Sequence, residues 1–462
     1  MYHRHGRGTD RQVKAIAMVV LLTVSAATGF YEVREAGAAT TGAAGWSKLQ
    51  HVVIIMMENH AYDSYFGLYC LHTSALCPDD ANGLPPGTCM PLDPNNTSAG
   101  CERPFNLTTA TPHDMGHGWP ASHAAYDSGR MDGFYAAEGN ETMGHYNGST
   151  IPVYWDMAEE FGLGDNAFSS TLSYSLPNHW YLIAGAAPAQ ASKELDQLTT
   201  MKQKHTYLNE SNATPTIEQE LDVHPNVSWA YYDWPLVSYS KAINLGAGPG
   251  SAYALWNPLA AKHQSYVGFN PGNFQPRTQI FTDLNNDALP NISWVIPDYT
   301  FSDHPPDSVD LGQNFTASVV NAIEASPEWS STAIFLTWDD YGGFYDHVPP
   351  PQIDANGDGF RAPWLVISPW TSAGLVVHTQ LRFESLLHLV EWHWGLGCLT
   401  SRDRNANLPL AFFDFKLNRA PVFFSNETAA TYPYRAPTSG VPFIEGPSLM
   451  QSTAGGNLTD DD

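Results

Sequence analysis

Two pairs of polar residues, Glu58-Asn59 and Asp339-Asp340, each follow a continuous apolar run that has the pattern of a buried strand. Acidic residues at the end of a buried strand are costly unless a positive charge neutralises them. A divalent cation is the simplest such charge, and oxygen ligands favour a hard or intermediate metal. The two pairs therefore predict a site for one divalent cation. The alternative is that these residues merely favour helix starts.

A serine that could act as a nucleophile stands in the segment Ser173-Tyr174-Ser175-Leu176-Pro177-Asn178. Proline is favoured in the first turn of a helix, so the segment predicts a loop that enters a helix near Ser175. A hydroxyl at a helix N-terminus lies where an anion is stabilised. The alternative is an ordinary helix cap without chemistry.

Histidines close to aspartates form a third set. His304 follows Asp303, and His117 lies three residues after Asp114. A histidine that an aspartate holds in one tautomer can act as an acid, a base or a donor to a phosphoryl oxygen. Taken singly, each histidine could equally be a solvated loop residue.

The elements that must position these residues follow from the apolar pattern. Short apolar runs that end in polar residues lie at 52–57, 294–296, 333–338 and 364–367. Apolar residues at helical spacing lie at 317–325 and 381–394. Alternating strands and helices predict an α/β fold with a largely parallel sheet covered on both faces. Ligands of such sheets bind beyond the carboxyl ends of the strands, where the two polar pairs stand.

The remaining sequence sets the domain boundaries. We predict a catalytic domain at 39–425 and a C-terminal tail at 426–462, and we interpret the polar, irregular residues 186–290 as an insertion that caps the site.

The chain has neither the G-x-S-x-G motif of serine esterases nor the H-E-x-x-H motif of zinc peptidases. Motifs therefore give no support to those two chemistries.

The charge of the chain restricts its partners. The 462 residues carry a formal net charge of -26, with 21 lysines and arginines against 47 aspartates and glutamates. Such a surface repels nucleic acid and anionic lipid at long range, so we expect no nucleic-acid partner. A phosphate ester would have to be held by local positive charge, most simply by the predicted cation.

The N-terminal residues 1–38 have the order of a secretory signal: basic residues, an apolar run at 15–30, and the small residues Ala36-Gly37-Ala38. An uncleaved N-terminal membrane anchor is the alternative. Twelve Asn-x-Ser/Thr sequons indicate glycosylation and an extracellular or cell-surface location.

Four cysteines lie close together in the sequence: Cys70, Cys77, Cys89 and Cys101. In an oxidising compartment they predict two disulfides, and all three possible pairings stay open.

The ordered set of motifs resembles the phosphoesterase family that contains non-haemolytic bacterial phospholipases C and a periplasmic acid phosphatase. The matching segments are MMENHAYDSYFG, HDMGHGW with SGRMDGF, LSYSLPNHWYLIAG, SDHPP, TWDDYGGFYDHVPPP and GFRAPWLVISPW, and the resemblance spans about residues 48–415. This family belongs to the alkaline-phosphatase-like superfamily. The resemblance therefore implies a three-layer α/β/α sandwich and a phosphoric-ester hydrolase.

The resemblance also implies roles for single residues. The positions that match metal ligands are Glu58, Asn59, Ser175, Asp339 and Asp340. Ser175 matches the nucleophile, which would form a phosphoserine intermediate. His117 and His304 match histidines that contact the phosphoryl group, with His304 as the expected acid, and Asn59 is expected to donate to a phosphoryl oxygen.

Three functions stay open at this point. A secreted phosphomonoesterase is preferred, because the acidic surface disfavours anionic bilayers and the aromatic residues at 229–239 fit a core better than a membrane-seeking rim. This chain also has serine at the nucleophile position, as the acid phosphatase does, where the phospholipases usually have threonine. A phospholipase C that cleaves phosphodiesters of phospholipids is the second. Arg382-Phe383 stand where those enzymes often have Asp-His. The third, of another class, is a non-catalytic cell-surface glycoprotein.

Overall fold

The computed structural model describes residues 45–69, 81–189, 209–233, 256–259 and 271–425. The chain divides into two compact units, Met1–Leu49 and Gln50–Asp462. The described residues of the first unit form one helical turn, in which the Lys48 N–H donates to the Gly45 carbonyl. The predicted signal or anchor and the predicted C-terminal tail both lie outside the described residues.

The second unit contains strands and helices in mixed order. The strands are β1 (His51–Met57), β2 (Met90–Pro91), β3 (Cys101–Glu102), β4 (Phe105–Asn106), β5 (Gly144–His145), β6 (Gly162–Gly164), β7 (Ala167–Phe168), β8 (Trp229–Asp233), β9 (Phe274–Pro276), β10 (Ile292–Val295), β11 (Thr332–Trp338), β12 (Trp364–Ile367), β13 (Leu375–Val377) and β14 (Leu381–Arg382). The α-helices are α1 (Tyr62–Phe66), α2 (Trp119–Tyr126), α3 (Phe134–Glu138), α4 (Pro152–Glu160), α5 (Ser175–Ala184), α6 (Ile217–Asp222), α7 (Gln279–Asn285), α8 (Val309–Ala325), α9 (Phe383–Trp394) and α10 (Ser401–Arg404).

In the described residues, the main sheet has eight strands in the order β13-β6-β12-β11-β1-β10-β8-β9. The central strand β1 pairs in parallel with β10 on one side and with β11 on the other. Parallel pairing continues outward through β8 and β9. The largely parallel sheet that the apolar runs predict is therefore confirmed.

The sheet is covered on both faces. Val53, Ile55 and Met57 of β1 belong to one large apolar cluster, together with buried residues of α4 and α8. The alternate residues of β1 point to the other face and are equally buried. Helices α5 and α9 pack against each other, and their buried apolar residues are not part of that cluster. This arrangement is the three-layer α/β/α sandwich that the family resemblance implies.

Two expectations about the sheet need correction. The run at 364–367 forms β12, which is antiparallel to both β11 and β6, so its carboxyl end lies at the edge opposite to those of β1 and β11. Strands β8 and β9 fall within residues 186–290, yet they pair in the main sheet. The interpretation of this segment as a cap does not hold for those two strands and stays a prediction for the rest.

Other expectations can be compared only in part. A disulfide joins Cys89 to Cys101, whereas Cys70 and Cys77 lie outside the described residues. Cys398 is a free thiol and is half-buried. Among the described residues, none of the helices combines the length and apolar character needed to cross a bilayer.

Candidate functional site

The carboxyl ends of three adjacent parallel strands bring the predicted site residues together. Met57 of β1 is paired with Trp338 of β11, so Glu58 and Asp339 leave the sheet side by side. The Asp339 N–H donates to the Met57 carbonyl at 3.0 Å. The Glu58 N–H donates at 2.8 Å to the carbonyl of Ser302, in the segment that follows β10. This bond fixes the loop of His304 beside the two acidic residues.

The Asp339 carboxylate organises the loop after β1. Its Oδ1 accepts from the backbone N–H of Asn59 at 2.9 Å and from that of Asp340 at 2.8 Å. Three further oxygens of the predicted metal ligands are buried and accept no hydrogen bond from any described residue. They are Asn59 Oδ1, Asp339 Oδ2 and Asp340 Oδ2. Buried oxygens without donors are costly, and a bound cation would satisfy all three at once.

Ser175 is the first residue of α5, as its proximity to Pro177 predicts. Its hydroxyl donates to Glu58 Oε2 at 2.9 Å, and the residue is only 4% exposed. The predicted nucleophile therefore lies in contact with a predicted metal ligand, although 117 residues separate them in the chain. An isolated helix cap would not need that contact.

The two predicted histidines are buried and lie on the Asn59 side of the site. His117 Nδ1 donates to the Met115 carbonyl at 2.7 Å, which leaves Nε2 to accept from Asn59 Nδ2 at 3.2 Å. The ring centre of His304 is 6.0 Å from that of His117. Both residues are 1% exposed, so neither is a solvated loop residue.

His179 also lies at the site, although its sequence context did not single it out. Its Nε2 lies 2.9 Å from Glu58 Oε1 and 3.9 Å from Asp339 Oδ2. Ligand atoms of these three residues, which we call the first acidic cluster, lie within 4.8 Å of one another and could hold a metal ion. The available signal was the spacing, because residues four apart share one face of a helix, and His179 follows Ser175 by four.

The electrostatics of the first acidic cluster favour a bound cation. Burial, with Asp339 nearby, raises the pKa of Glu58 well above its usual range. Burial and the nearby Asp339 also raise the pKa of Asp340, which adjoins the cluster, and His117 opposes the rise. Burial lowers the pKa of His179 to about 4, so that side chain is neutral near pH 7. Within the described part of the chain, no lysine or arginine forms an ion pair with these carboxylates, so no permanent counter-charge from those residues faces them.

A second acidic cluster, Asp63 with Asp346 and His347, provides a contrast. The buried guanidinium of Arg361 donates to Asp63 at 3.0 Å and to Asp346 at 2.9 Å. Its positive charge already compensates one of the two carboxylate charges of this cluster. Of the two, the first acidic cluster fits a cation better.

The sequence match decides the family. The profile of the Phosphoesterase family matches residues 49–397, a range that contains every residue of the site described above. The chain belongs to the Phosphoesterase family. This phosphoesterase is a phosphoester hydrolase, and the first acidic cluster lies at the carboxyl edge of its sheet.

Known proteins extend the comparison. The chain is 27% identical to a non-hemolytic phospholipase C of Burkholderia pseudomallei over 74% of its own length, but it spans only 55% of that relative. It is 26% identical to phospholipase C A of Mycobacterium tuberculosis, over 75% of this chain and 73% of the relative. A solved protein of the alkaline phosphatase superfamily from Vibrio parahaemolyticus matches with a TM-score of 0.34 and 10% identity, over 74% of this chain and 78% of that one.

Proposed function

We propose that this phosphoesterase is an exported, metal-dependent hydrolase of phosphoric esters that works through a phosphoserine at Ser175. One observation carries the proposal: the buried Ser175 hydroxyl donates to Glu58 beside oxygens that have no hydrogen-bond partner among the described residues. This contact supports a nucleophile next to a cation.

The residues that would hold the cation are Glu58, Asn59, Ser175, Asp339 and Asp340. When bound, the cation supplies positive charge to the serine oxygen and to the phosphoryl group. The buried oxygens of Asn59, Asp339 and Asp340 fit this role, because each lacks a donor among the described side chains and backbone groups. Carboxylate and amide oxygens are also suitable ligands for such an ion.

The reaction has two steps in this proposal. Ser175 Oγ attacks phosphorus in line with the leaving oxygen, and its proton passes to Glu58 Oε2, the acceptor of its hydrogen bond. The bond between phosphorus and the leaving oxygen breaks, and a protonated His304 gives that oxygen its proton. Water then attacks the phosphoserine, returns a proton to His304 and releases Ser175, which recovers its proton from Glu58. Asn59 Nδ2 donates to a non-bridging oxygen, and His117 does the same when it is protonated at Nε2, so both stabilise the charge of the phosphoryl group.

Phosphomonoesters are the preferred substrates. Serine stands at the nucleophile position, as in the acid phosphatase that the sequence resembles. An enzyme that works at a lipid surface would benefit from exposed aromatic residues near the site, but Trp229, Tyr231 and Tyr232 are buried in β8. The acidic chain also disfavours anionic bilayers.

A phospholipase C is the second candidate. Both relatives described above are phospholipases C, which favours this candidate. Identities of 26% and 27% do not determine the leaving group. The complete set of buried polar residues at the site disfavours the third function, a non-catalytic glycoprotein.

A hydrolysis screen tests the proposal. Wild-type protein is assayed with p-nitrophenyl phosphate, bis-p-nitrophenyl phosphate and phosphatidylcholine vesicles, with and without a chelator. Turnover of the monoester alone supports the monoesterase, and turnover of phosphatidylcholine supports the second candidate. Retention of full activity after complete metal removal contradicts metal dependence.

Ser175→Ala is expected to lower kcat by about 10⁴-fold or more, while the melting temperature stays close to that of the wild type. The matched control is Ser173→Ala, because Ser173 is buried in the same loop and its hydroxyl makes no hydrogen bond with Glu58. Near wild-type turnover of Ser175→Ala would show that the nucleophile is another residue.

A further inference from the structure

One nitrogen atom lies among the oxygens of the first acidic cluster. His179 is completely buried, and its Nε2 is the ring atom that faces both Glu58 and Asp339. We propose that His179 Nε2 is itself a ligand of the ion, and that the site therefore takes a borderline cation such as Zn²⁺, Mn²⁺ or Fe²⁺ in preference to Mg²⁺ or Ca²⁺. The inference rests on the proposed function, since it concerns the ion at that site.

The distances suit a shared coordination shell. Ligand atoms at about 2.1 Å from one ion lie about 3 Å apart when adjacent and about 4 Å apart when opposite. Nε2 of His179 is 2.9 Å from Glu58 Oε1 and 3.9 Å from Asp339 Oδ2, which match those two separations. Asp339 Oδ2 also accepts no hydrogen bond within the described residues, so it is available to an ion.

The position of His179 on α5 explains how it reaches the site. Ser175 and His179 lie one turn apart on the helix, and they contact the two different oxygens of the Glu58 carboxylate. The helix thus delivers an oxygen donor and a nitrogen donor to the same place. All ten of its residues are buried, so neither side chain can turn away into solvent.

The alternative is that His179 only donates a hydrogen bond to Glu58 and holds that carboxylate in place. The two roles differ in metal preference. A residue that only positions Glu58 supports every divalent cation to a similar degree. A direct imidazole ligand strengthens binding of borderline transition metals far more than binding of Mg²⁺ or Ca²⁺, which prefer oxygen.

Direct binding measurements separate the two roles. Metal-stripped wild type, His179→Gln and the control His378→Gln are titrated calorimetrically with Zn²⁺ and with Mg²⁺. His378 is a suitable control because it is also bonded to an aspartate, Asp165 at 2.9 Å, but is 52% exposed. Glutamine retains an oxygen that can still serve Mg²⁺.

His179→Gln is expected to weaken Zn²⁺ binding by about 10- to 100-fold. Mg²⁺ binding should stay within about threefold of the wild type. His378→Gln should resemble the wild type for both ions. An equal loss of affinity for the two ions in His179→Gln would overturn the proposal in favour of the positioning role.

Pulsed electron paramagnetic resonance of the Mn²⁺-loaded wild type gives a readout that needs no stable variant. A coupling from an imidazole nitrogen, altered when histidine is labelled with ¹⁵N, is expected. It should disappear in His179→Gln and persist in His378→Gln. Absence of the coupling in metal-loaded wild type, or its persistence in His179→Gln, overturns the inference and leaves the proposed hydrolase intact. Failure of the wild type to bind any divalent cation overturns both.

Discussion

Asn178 makes five hydrogen bonds with the loop that precedes Ser175. Its Oδ1 accepts from the N–H groups of Ser170 and Thr171 at 3.0 and 3.1 Å. Its Nδ2 lies between 3.1 and 3.4 Å from the carbonyl oxygens of Thr171, Ser173 and Tyr174. Asparagine supplies both donors and acceptors, so this one buried side chain satisfies a turn that has no strand partner.

Asn178→Ala is expected to lower the free energy of unfolding by about 2–4 kcal/mol, because several buried backbone groups lose their partners. It should also lower kcat at least about tenfold, since misplacement of the nucleophile by a fraction of an ångström is costly. Urea unfolding and turnover of a p-nitrophenyl ester measure the two effects. The control Asn405→Ala removes an exposed asparagine that bonds Ser401 at 2.8 Å. If both variants behave alike, Asn178 does not hold Ser175, the proposed nucleophile, in place.

At the scale of elements, the turn after β11 has to approach the loop after β1 closely. Gly342 and Gly343 have φ values of +57° and +82°, a region that favours glycine. A Cβ on Gly342 would lie 2.0 Å from the carbonyl oxygen of Asn59. The Gly342 N–H also donates to Asp340 Oδ1 at 2.7 Å. The turn therefore fixes Asp340 and Asn59 together.

Gly342→Ala should destabilise the protein by more than the roughly 1–2 kcal/mol that a left-handed φ costs an alanine. It should also weaken metal binding, because the steric clash moves Asn59. Gly87→Ala is the matched control, since Gly87 has a φ of +87° and a Cβ there would meet nothing within 4 Å. Thermal unfolding and metal titration of both variants give the comparison. Equal effects of the two substitutions would contradict a clash with Asn59.

The strands and helices also show which parts of the fold and the site could be predicted from the sequence. Continuous apolar runs that end in polar pairs predicted β1 and β11 and the meeting of Glu58 with Asp339, because parallel neighbours end at one edge of the sheet. The direction of β12 could not be predicted, since a fully buried strand has the same apolar pattern in either direction. Strand β8 was missed because its aromatic run lies in a segment of polar, irregular composition. To predict that His179 belongs to the site, one would have to know which face of α5 lies against the end of β1.

At the scale of the whole molecule, part of the excess of acidic side chains is buried in the folded protein. The formal net charge is -26, and several carboxyl groups are buried without full compensation. Burial raises the pKa of Asp303 from its usual 3.8 to about 7, even though Tyr65, Tyr154 and Trp338 donate to its Oδ2. Burial likewise raises the pKa of Glu324 to about 8. Glu58 and Asp340 shift in the same direction.

These shifts determine how stability depends on pH. Above about pH 4 the unfolded chain loses the protons of such carboxyl groups, whereas the folded protein keeps the proton of Asp303 up to about pH 7 and that of Glu324 up to about pH 8. The folded state therefore binds more protons in this window, and the free energy of unfolding falls as the pH rises through it. A cation at the first acidic cluster opposes this fall at high pH, because it binds the ionised carboxylates of the folded state alone.

In the presence of a chelator, the melting temperature is therefore expected to fall by roughly 5 °C or more between pH 5 and pH 8. Saturating divalent cation should reduce that fall, and the difference between the two curves should widen as the pH rises. Asp303→Asn removes one titrating group, so its melting temperature should depend less on pH than that of the wild type. General repulsion among surface charges would leave the pH dependence of the variant nearly unchanged, so the comparison distinguishes the two causes. A chelated wild type whose melting temperature rises from pH 5 to pH 8 would mean that the buried carboxyl groups of the folded protein ionise as readily as those of the unfolded chain.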